Sequence, residues 1–401
     1  MNAKIAAIIA IVVIVAAGAG GAVVLTQNHG NSNNGNGGSG DTPSTDTNKG
    51  GWYAWDPTVV ITKTAYYGQS PMLYKGAAEM FKTIYGKDVN TSQYTSSQVP
   101  ADFLTYDSLI VAEDNVNNTV TIDSIIRDAK DSNGNYTWHH ENTVVPVNPD
   151  WMICTGSYVA LLYELIKIHN SGTADQSAVF NYVYGLDKSA LAGGSSDINE
   201  IYGLTVPNTV VSINSTYSLN KQANLAQYLQ AYDAAHAQNK KIVTMMSGST
   251  GDTYTDMIGE NGFLKKSSEY SEVTNLFFGA TSVAEVFSSI EALGAVFGLK
   301  DEAQTFIQET RTNFYNMYMQ AKEVTPQKTV YWESRNNASA CGQNNISSTI
   351  LDLLNLKNIV TGEGWVKGFG DENVVLKEPS VIIFYTGDSR TMDQMMRVAT
   401  A

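Results

Sequence analysis

Apolar and polar positions along the chain repeat with two periods. Over 70–86, "SPMLYKGAAEMFKTIYG", Leu73, Ala77, Met80, Phe81 and Ile84 fall at helical spacing on one face. Pro71 suits the first turn and Gly86 the stop. "TVVITKT" (58–64) just before it reads as a strand. "DSNGNYTWHHENTVVPV" (131–147) predicts a β-hairpin turning at Asn133-Gly134. "DWMICTGSYVALLYELIKI" (150–168) predicts a strand, a Gly/Ser turn and an amphipathic helix. Strands near 209–213 ("TVVSI") and 241–246 ("KIVTMM") flank the helical "NLAQYLQAYDAAHAQ". Strands alternating with helices predict a parallel α/β layer.

Two helices follow. Ser282 and Glu285 form a capping-box pair for "SVAEVFSSIEALGAVFG", which stops at Gly298. "DEAQTFIQETRTNFYNMYMQAKEV" starts at Asp301 and sets Phe306, Thr310, Phe314, Met317 and Ala321 on one face. At 1.5 Å per residue it is roughly 35 Å long, enough to bridge two lobes. A second α/β unit follows: strand 328–334, helix 346–356 and strand 380–387.

The first 26 residues change the picture. "IAAIIAIVVIVAAGAGGAVVL" (5–25) is uncharged, follows Lys4, and as a helix would span roughly 30 Å, the thickness of a hydrocarbon core. It reads as an uncleaved transmembrane anchor, with a signal peptide as the competing reading. The polar stretch 27–51 reads as a flexible linker. Sequons at Asn90, Asn117, Asn135, Asn214, Asn337 and Asn345 fit an exported surface. A net charge of −14 over 401 residues, without a basic stripe, disfavours nucleic acid as a partner. Cys154 and Cys341 make neither a disulfide scaffold nor a zinc site; they are a single bridge or two buried thiols.

One motif occurs twice. In "EIYGLTVPNTVV" (200–211) Glu200 stands seven residues before Pro207, and a strand follows. In "ENVVLKEPSVII" (372–383) Glu372 stands seven before Pro379, again with a strand following. Each α/β unit thus carries one glutamate at a comparable place. Over roughly 140–390 the order of segments resembles the substrate-binding proteins of ABC importers for iron complexes, haem and cobalamin. "VVPVNPDWMICTGSYVALLYEL", "TSVAEVFSSIEALGAVFGLKDEAQTFIQET" and "ISSTILDLLNLKNIV" followed by "DENVVLKEPSVIIF" carry the likeness. The resemblance implies two α/β lobes with mainly parallel sheets joined by one long backbone helix. It also implies that Glu200 and Glu372 dock onto arginines of a membrane permease. In that family the second lobe continues well beyond the strand matching "VIIF", whereas few residues remain here. "TVVITKTAYYGQSPMLYKGAAEMFKTIYGKDV" (58–89) looks like the missing end, which suggests a circular permutation, with a truncated chain or a separate N-terminal domain as the competing readings.

The expected organisation is an anchor (1–26), a linker (27–51) and a segment 52–130 that completes the C-terminal lobe or forms its own small domain. An N-terminal lobe (131–280), the connecting and backbone helices (281–323) and a C-terminal lobe (324–401) follow. Ligands of open α/β sheets bind beyond the carboxyl ends of the strands. That rule selects Thr155, Ser157, Tyr158, Asn214, Tyr217, Ser249 and Tyr254 in one lobe. In the other it selects Trp332, Arg335 and Tyr385, joined by Tyr66 and Tyr67 if the permutation holds. Arg335 is a candidate partner for an anionic ligand. "SGSTGDTYTD" (247–256) lacks the G-K-[ST] ending of a phosphate cradle. His139 and His140 are strand neighbours pointing to opposite faces, which disfavours a shared metal ion.

The expectation is therefore an extracellular, membrane-anchored binding protein, with no cofactor and no catalytic residues. It captures an iron complex or tetrapyrrole-like ligand and delivers it to an ABC permease. A cell-surface enzyme and a structural or adhesion module on the same scaffold are the alternatives. No G-x-S-x-G or H-E-x-x-H motif supports the former.

Overall fold

The computed structural model describes residues 11–16, 60–65, 73–132, 136–192, 198–279, 281–334, 339–377 and 379–385. In chain order the strands are β1 (Ile11–Ala16), β2 (Val60–Ala65), β3 (Ile110–Asp114), β4 (Thr119–Lys130), β5 (Tyr136–Pro146), β6 (Trp151–Cys154), β7 (Val183–Asp187) and β8 (Val211–Ile213). They continue as β9 (Ile242–Ser247), β10 (Val273–Phe278), β11 (Thr329–Ser334), β12 (Ser339–Cys341), β13 (Lys357–Asn358), β14 (Trp365–Val366) and β15 (Val381–Tyr385). The helices are α1 (Leu73–Tyr85), α2 (Gly156–His169), α3 (Gln176–Phe180), α4 (Ile198–Tyr202), α5 (Gln222–Gln238), α6 (Tyr254–Ile258), α7 (Phe263–Ser267), α8 (Val283–Val296), α9 (Lys300–Lys322), α10 (Ile346–Leu353) and α11 (Asp371–Lys377).

Three sheets form among the described residues. The first lobe is built on a parallel sheet in the order β10-β9-β6-β7-β8. The second is built on β14-β12-β11-β15-β1-β2, with β13 added beside β11; its central pairings are parallel and β12 is antiparallel to both neighbours. An antiparallel meander, β3-β4-β5, makes the third. Met152, Ile153, Val243, Met245 and Leu276 are wholly buried. This is the continuous apolar pattern of strands covered on both faces.

Between the lobes runs α9, 23 residues without a break. It packs on α1 and α10 at one end and on α2 and α8 elsewhere. Ala303, Ile307, Thr310, Phe314, Met317 and Ala321 form its buried stripe, whereas Phe306 is only partly buried. The α8–α9 corner is tight: a Cβ on Gly294 would lie 2.5 Å from that of Ala303, and Gly298 turns the chain at φ +65°. At the start of α8 the Ser282 hydroxyl accepts from the Glu285 N–H, but the Glu285 carboxylate takes the N–H and hydroxyl of Thr281. The expected reciprocal bond is displaced by one residue.

The segment 52–130 is divided. β2 lies in the sheet of β11 and β15, and α1 packs on α9. Residues 90–104 then run as a strap along α9 in the opposite direction. Gln320 bonds both backbone groups of Asn90 (3.0 and 2.9 Å), Asn316 binds Thr91 and Tyr94, and Arg311 donates to the carbonyls of Pro100, Ala101 and Phe103. The Tyr315 ring lies between Tyr94 and Phe103, at 5.2 and 5.1 Å. β3 and β4 then join β5, so the hairpin expected from 131 reaches back to Thr119, paired with Pro146. The Asn133-Gly134 turn itself lies outside the described residues.

Of the membrane-spanning helix expected at 5–25, the described residues 11–16 form a strand instead. Ile11–Ala16 is strand β1, parallel to β15 on one side and β2 on the other. "IVVIVA" is almost entirely β-branched, and such a run suits a central parallel strand as well as it suits a bilayer. The rest of that apolar stretch lies outside the described residues. No helix among the described residues is long and apolar enough to cross a membrane.

Many tyrosines serve the core. Tyr228, Tyr232 and Tyr331 are wholly buried. Burial pushes both Tyr74 and Tyr85 up to about 12; the Tyr85 hydroxyl donates to the Leu354 carbonyl, and Tyr74 meets Phe314 edge-on at 5.4 Å. These phenols hold their protons longer folded than unfolded. Their contribution is intact below pH 10 and is lost as pH rises from about 10 to about 12. An alkaline titration followed at the phenolate absorption band should show them ionising together with unfolding. Normal titration near pH 10 in the folded protein would contradict their burial.

Candidate functional site

The carboxyl ends of β6, β7, β8 and β9 meet in a cross-linked set of loops. Thr155 precedes α2, and its backbone carbonyl, not its side chain, accepts the Tyr158 N–H (3.2 Å). Gly156 is required there: a Cβ would fall 2.2 Å from the Ile198 side chain of α4. The buried Asp187 carboxylate closes β7, accepting from the Ser189 N–H (2.9 Å) and from the Thr216 N–H and hydroxyl (2.8 and 3.0 Å). Asp252 does the same for the next loop, accepting from the N–H groups of Leu219 and Asn220 (2.6 and 3.2 Å). Gly251 donates its N–H to the Tyr217 carbonyl (2.8 Å), and the Tyr217 ring lies over it.

Within this set Tyr217 stands at the rim, and Asn214 and Ser249 are half-buried in the loops after β8 and β9. Tyr217 is 56% exposed, while Asn214 is held by Gln227 and Ser249 by the Ser247 hydroxyl. Thr155 and Ser157 are half-buried at the α2 start. Tyr158 is a core residue: 9% exposed, with its ring 5.6 Å from Phe278, it cannot line an open cleft. The periodicity of α2 did not reveal this, because Tyr158 occupies a first-turn position where either face was open. Tyr254 turns away onto β5, stacked on His139 with centroids 3.5 Å apart. His140 pairs instead with Asp123, at 2.9 Å. The two histidines thus diverge, and no group of metal-ligating side chains forms among the described residues.

In the second lobe Trp332 is also a core residue, 1% exposed, as are its neighbours Tyr331 and Glu333. The strand was read correctly, but Tyr331, Trp332 and Glu333 are taken up in packing. Arg335, Tyr66 and Tyr67 lie outside the described residues, and of Tyr385 only the backbone, ending β15, is described. Glu200 sits in α4 and Glu372 in α11, each in the short helix before its proline.

Sequence reasoning missed the meander. It leans on the carboxyl ends of β9 and β10: the Arg127 N–H donates to Gly248 O (2.9 Å), the Arg127 guanidinium to Thr250 O, and the Phe277 N–H to the Ser124 hydroxyl (3.3 Å). The signal was in the alternation of "TVTIDSII" (119–126), whose even positions are all buried. Hollows also form among the described residues. One, about 390 Å³, lies between β5 and α6–α7 and includes Tyr254. Another, about 410 Å³, lies at the N-terminus of α9 beside the β3–β4 tip and holds none of the expected ligand residues.

Neither cysteine is poised for chemistry. Both are free and buried. Burial, reinforced by Asp187, pushes the Cys154 thiol up; burial pushes Cys341 up to about 12 despite its bond to Asn345. Thiols so held are poor nucleophiles.

No family model matches the chain, and no curated protein matches it in sequence. Several solved structures are similar in fold. A possible iron-binding (periplasmic solute-binding) protein from Staphylococcus epidermidis is 14% identical, with 63% of this chain and 83% of that one covered at a TM-score of 0.45. A periplasmic haem-binding protein from Pseudomonas aeruginosa is 16% identical, with 62% and 76% covered at 0.42. A periplasmic vitamin B12-binding protein from Vibrio cholerae is 13% identical, with 63% and 84% covered at 0.41.

Proposed function

We propose that the chain is an exported solute-binding protein that holds one compact ligand between two α/β lobes and hands it to an ABC permease. The observation that carries this reading is the unbroken α9, which packs on helices of both lobes. A stiff connection fixes the distance between two sets of carboxyl-end loops, and such loops are where open α/β sheets take ligands. Tyr217, Asn214 and Ser249 are the proposed ligand residues of the first lobe, and Arg335, Tyr385, Tyr66 and Tyr67 their proposed counterparts from the second. Aromatic and hydroxyl groups of this kind suit an iron complex, haem or a cobalamin-like ligand. Binding requires no covalent step and no resident cofactor. The place of β2 in the same sheet as β11 and β15, with α1 packed on β2 and α9, supports a circularly permuted second lobe.

The test is mass spectrometry of small molecules that co-purify with the full chain, followed by titration of the stripped protein with the molecule found. Tyr217→Ala should weaken binding about tenfold, the loss of one good aromatic contact. A protein that carries no ligand, or that converts it chemically, would overturn the reading.

Delivery is tested separately. Glu200 and Glu372 are proposed to pair with permease arginines, which sets orientation and speeds encounter. The double variant Glu200→Ala/Glu372→Ala should reduce uptake by cells at least tenfold while ligand affinity stays within twofold. Weakened affinity would remove both residues from a docking role.

A further inference from the structure

Four sequons lie wholly within the described residues, beginning at Asn90, Asn117, Asn214 and Asn345, and their surroundings differ. Asn345 is consumed by the fold. It caps α10, accepting the Ser348 N–H at 3.1 Å, and its amide donates to the carbonyls of Gly342 and Gly364 at 3.3 and 3.2 Å. The hydroxyl two residues on belongs to the buried Ser347. The Asn214 sequon is spoiled at its third position, because the buried Thr216 hydroxyl donates to Asp187. Asn117 is exposed, but its Nδ2 donates to the Asp114 carboxylate at 2.6 Å. Its third residue, Thr119, is fixed between Asp114 and Pro146 in the meander ladder.

Asn90 alone of the four has both reacting groups unencumbered. Asn90, Thr91 and Ser92 are all exposed. The Asn90 Oδ1 accepts the Ser92 N–H at 3.1 Å, a local turn that Asn side chains favour. Its Nδ2 and the Ser92 hydroxyl make no hydrogen bond among the described residues. Gln320 holds the Asn90 backbone on α9, so the turn is presented in one conformation.

We propose that Asn90 is the acceptor of an N-linked glycan. The proposal rests on the exported reading above, since the donor is a sugar carried on a membrane-lipid phosphate or pyrophosphate. The Asn90 Nδ2 attacks the anomeric carbon of that sugar and a C–N bond forms. The anomeric C–O bond breaks, its electron pair leaves with the lipid phosphate, and one Nδ2 proton passes to the transferase base. The Ser92 hydroxyl, at the third sequon position, is the group the transferase recognises.

Glycopeptide mass spectrometry on the full chain from its native cells tests this. The peptide containing Asn90 should carry sugar, and those containing Asn117, Asn214 and Asn345 should not. Ser92→Ala should remove the modification and Ser92→Thr should keep it, both with an unchanged melting temperature. A bare Asn90, or sugar that survives Ser92→Ala, overturns the proposal. Protease treatment of intact cells separates the two readings: a bare but accessible protein rejects the glycan alone, and a bare, shielded protein rejects export with it.

Discussion

Gly248→Ala is expected to unseat the meander from the first lobe. The added Cβ would lie 1.9 Å from the Ile125 carbonyl oxygen and 3.0 Å from its carbon. Both are backbone atoms of β4, so no rotamer change relieves the overlap. β4 must withdraw, and the 2.9 Å bond from the Arg127 N–H to Gly248 O goes with it. A forced backbone shift of this kind costs about 3 kcal/mol. Hydrogen exchange should accelerate through 119–130 and 136–146 while β6 and β7 remain protected. Gly259→Ala is the control: its added Cβ meets only the Asp256 carbonyl at an ordinary 3.4 Å, and its φ is −58°. If the two variants melt alike, the meander is not anchored at Gly248.

Asn316→Ala should release the strap. Asn316 is wholly buried on α9; its Oδ1 accepts the Tyr94 N–H at 2.7 Å, and its Nδ2 reaches the carbonyls of Thr91 and Tyr94 at 3.2 and 2.9 Å. Truncation leaves these backbone groups without their partner and opens a small void. The cost is about 2–3 kcal/mol, read as a lower urea midpoint. Limited proteolysis should then cut within 90–104, where the wild-type chain resists. Undiminished resistance would mean that the Tyr94, Tyr315 and Phe103 rings, with Arg311, hold the strap unaided.

The strap and the meander also show why some of the fold was legible and some was not. Helices α1, α8 and α9 could be read because each has an apolar stripe and a defined stop, such as Gly86 at φ +70° and Gly298 at +65°. Residues 90–104 have no periodicity to read, since their backbone is satisfied by Asn316, Gln320 and Arg311 from more than 200 residues away. A buried Asn and Gln four apart on a helix, Asn316 and Gln320, were the available clue. They mark a second, polar contact face beside the apolar one. The apolar run at 11–16 was misread for a different reason. Hydrophobicity without alternation describes a bilayer helix and a doubly covered strand equally, and β15 and β2 decide between them. Site residues were harder still. The carboxyl-end rule selects loops, but whether a side chain such as Tyr158 or Trp332 points inward depends on packing that the rule does not contain.

The order of strands in the second sheet has a bearing on how the molecule is made. β2 is synthesised more than 300 residues before its sheet-mate β15. As the polypeptide emerges from the ribosome, α1 and its strand must wait, apolar face uncovered, while the whole first lobe is translated. That lobe is free to fold on emergence; the second can close only after β15 has been made. Pairings so distant in sequence are slow to form, and the waiting segment is where a chaperone would find its hold.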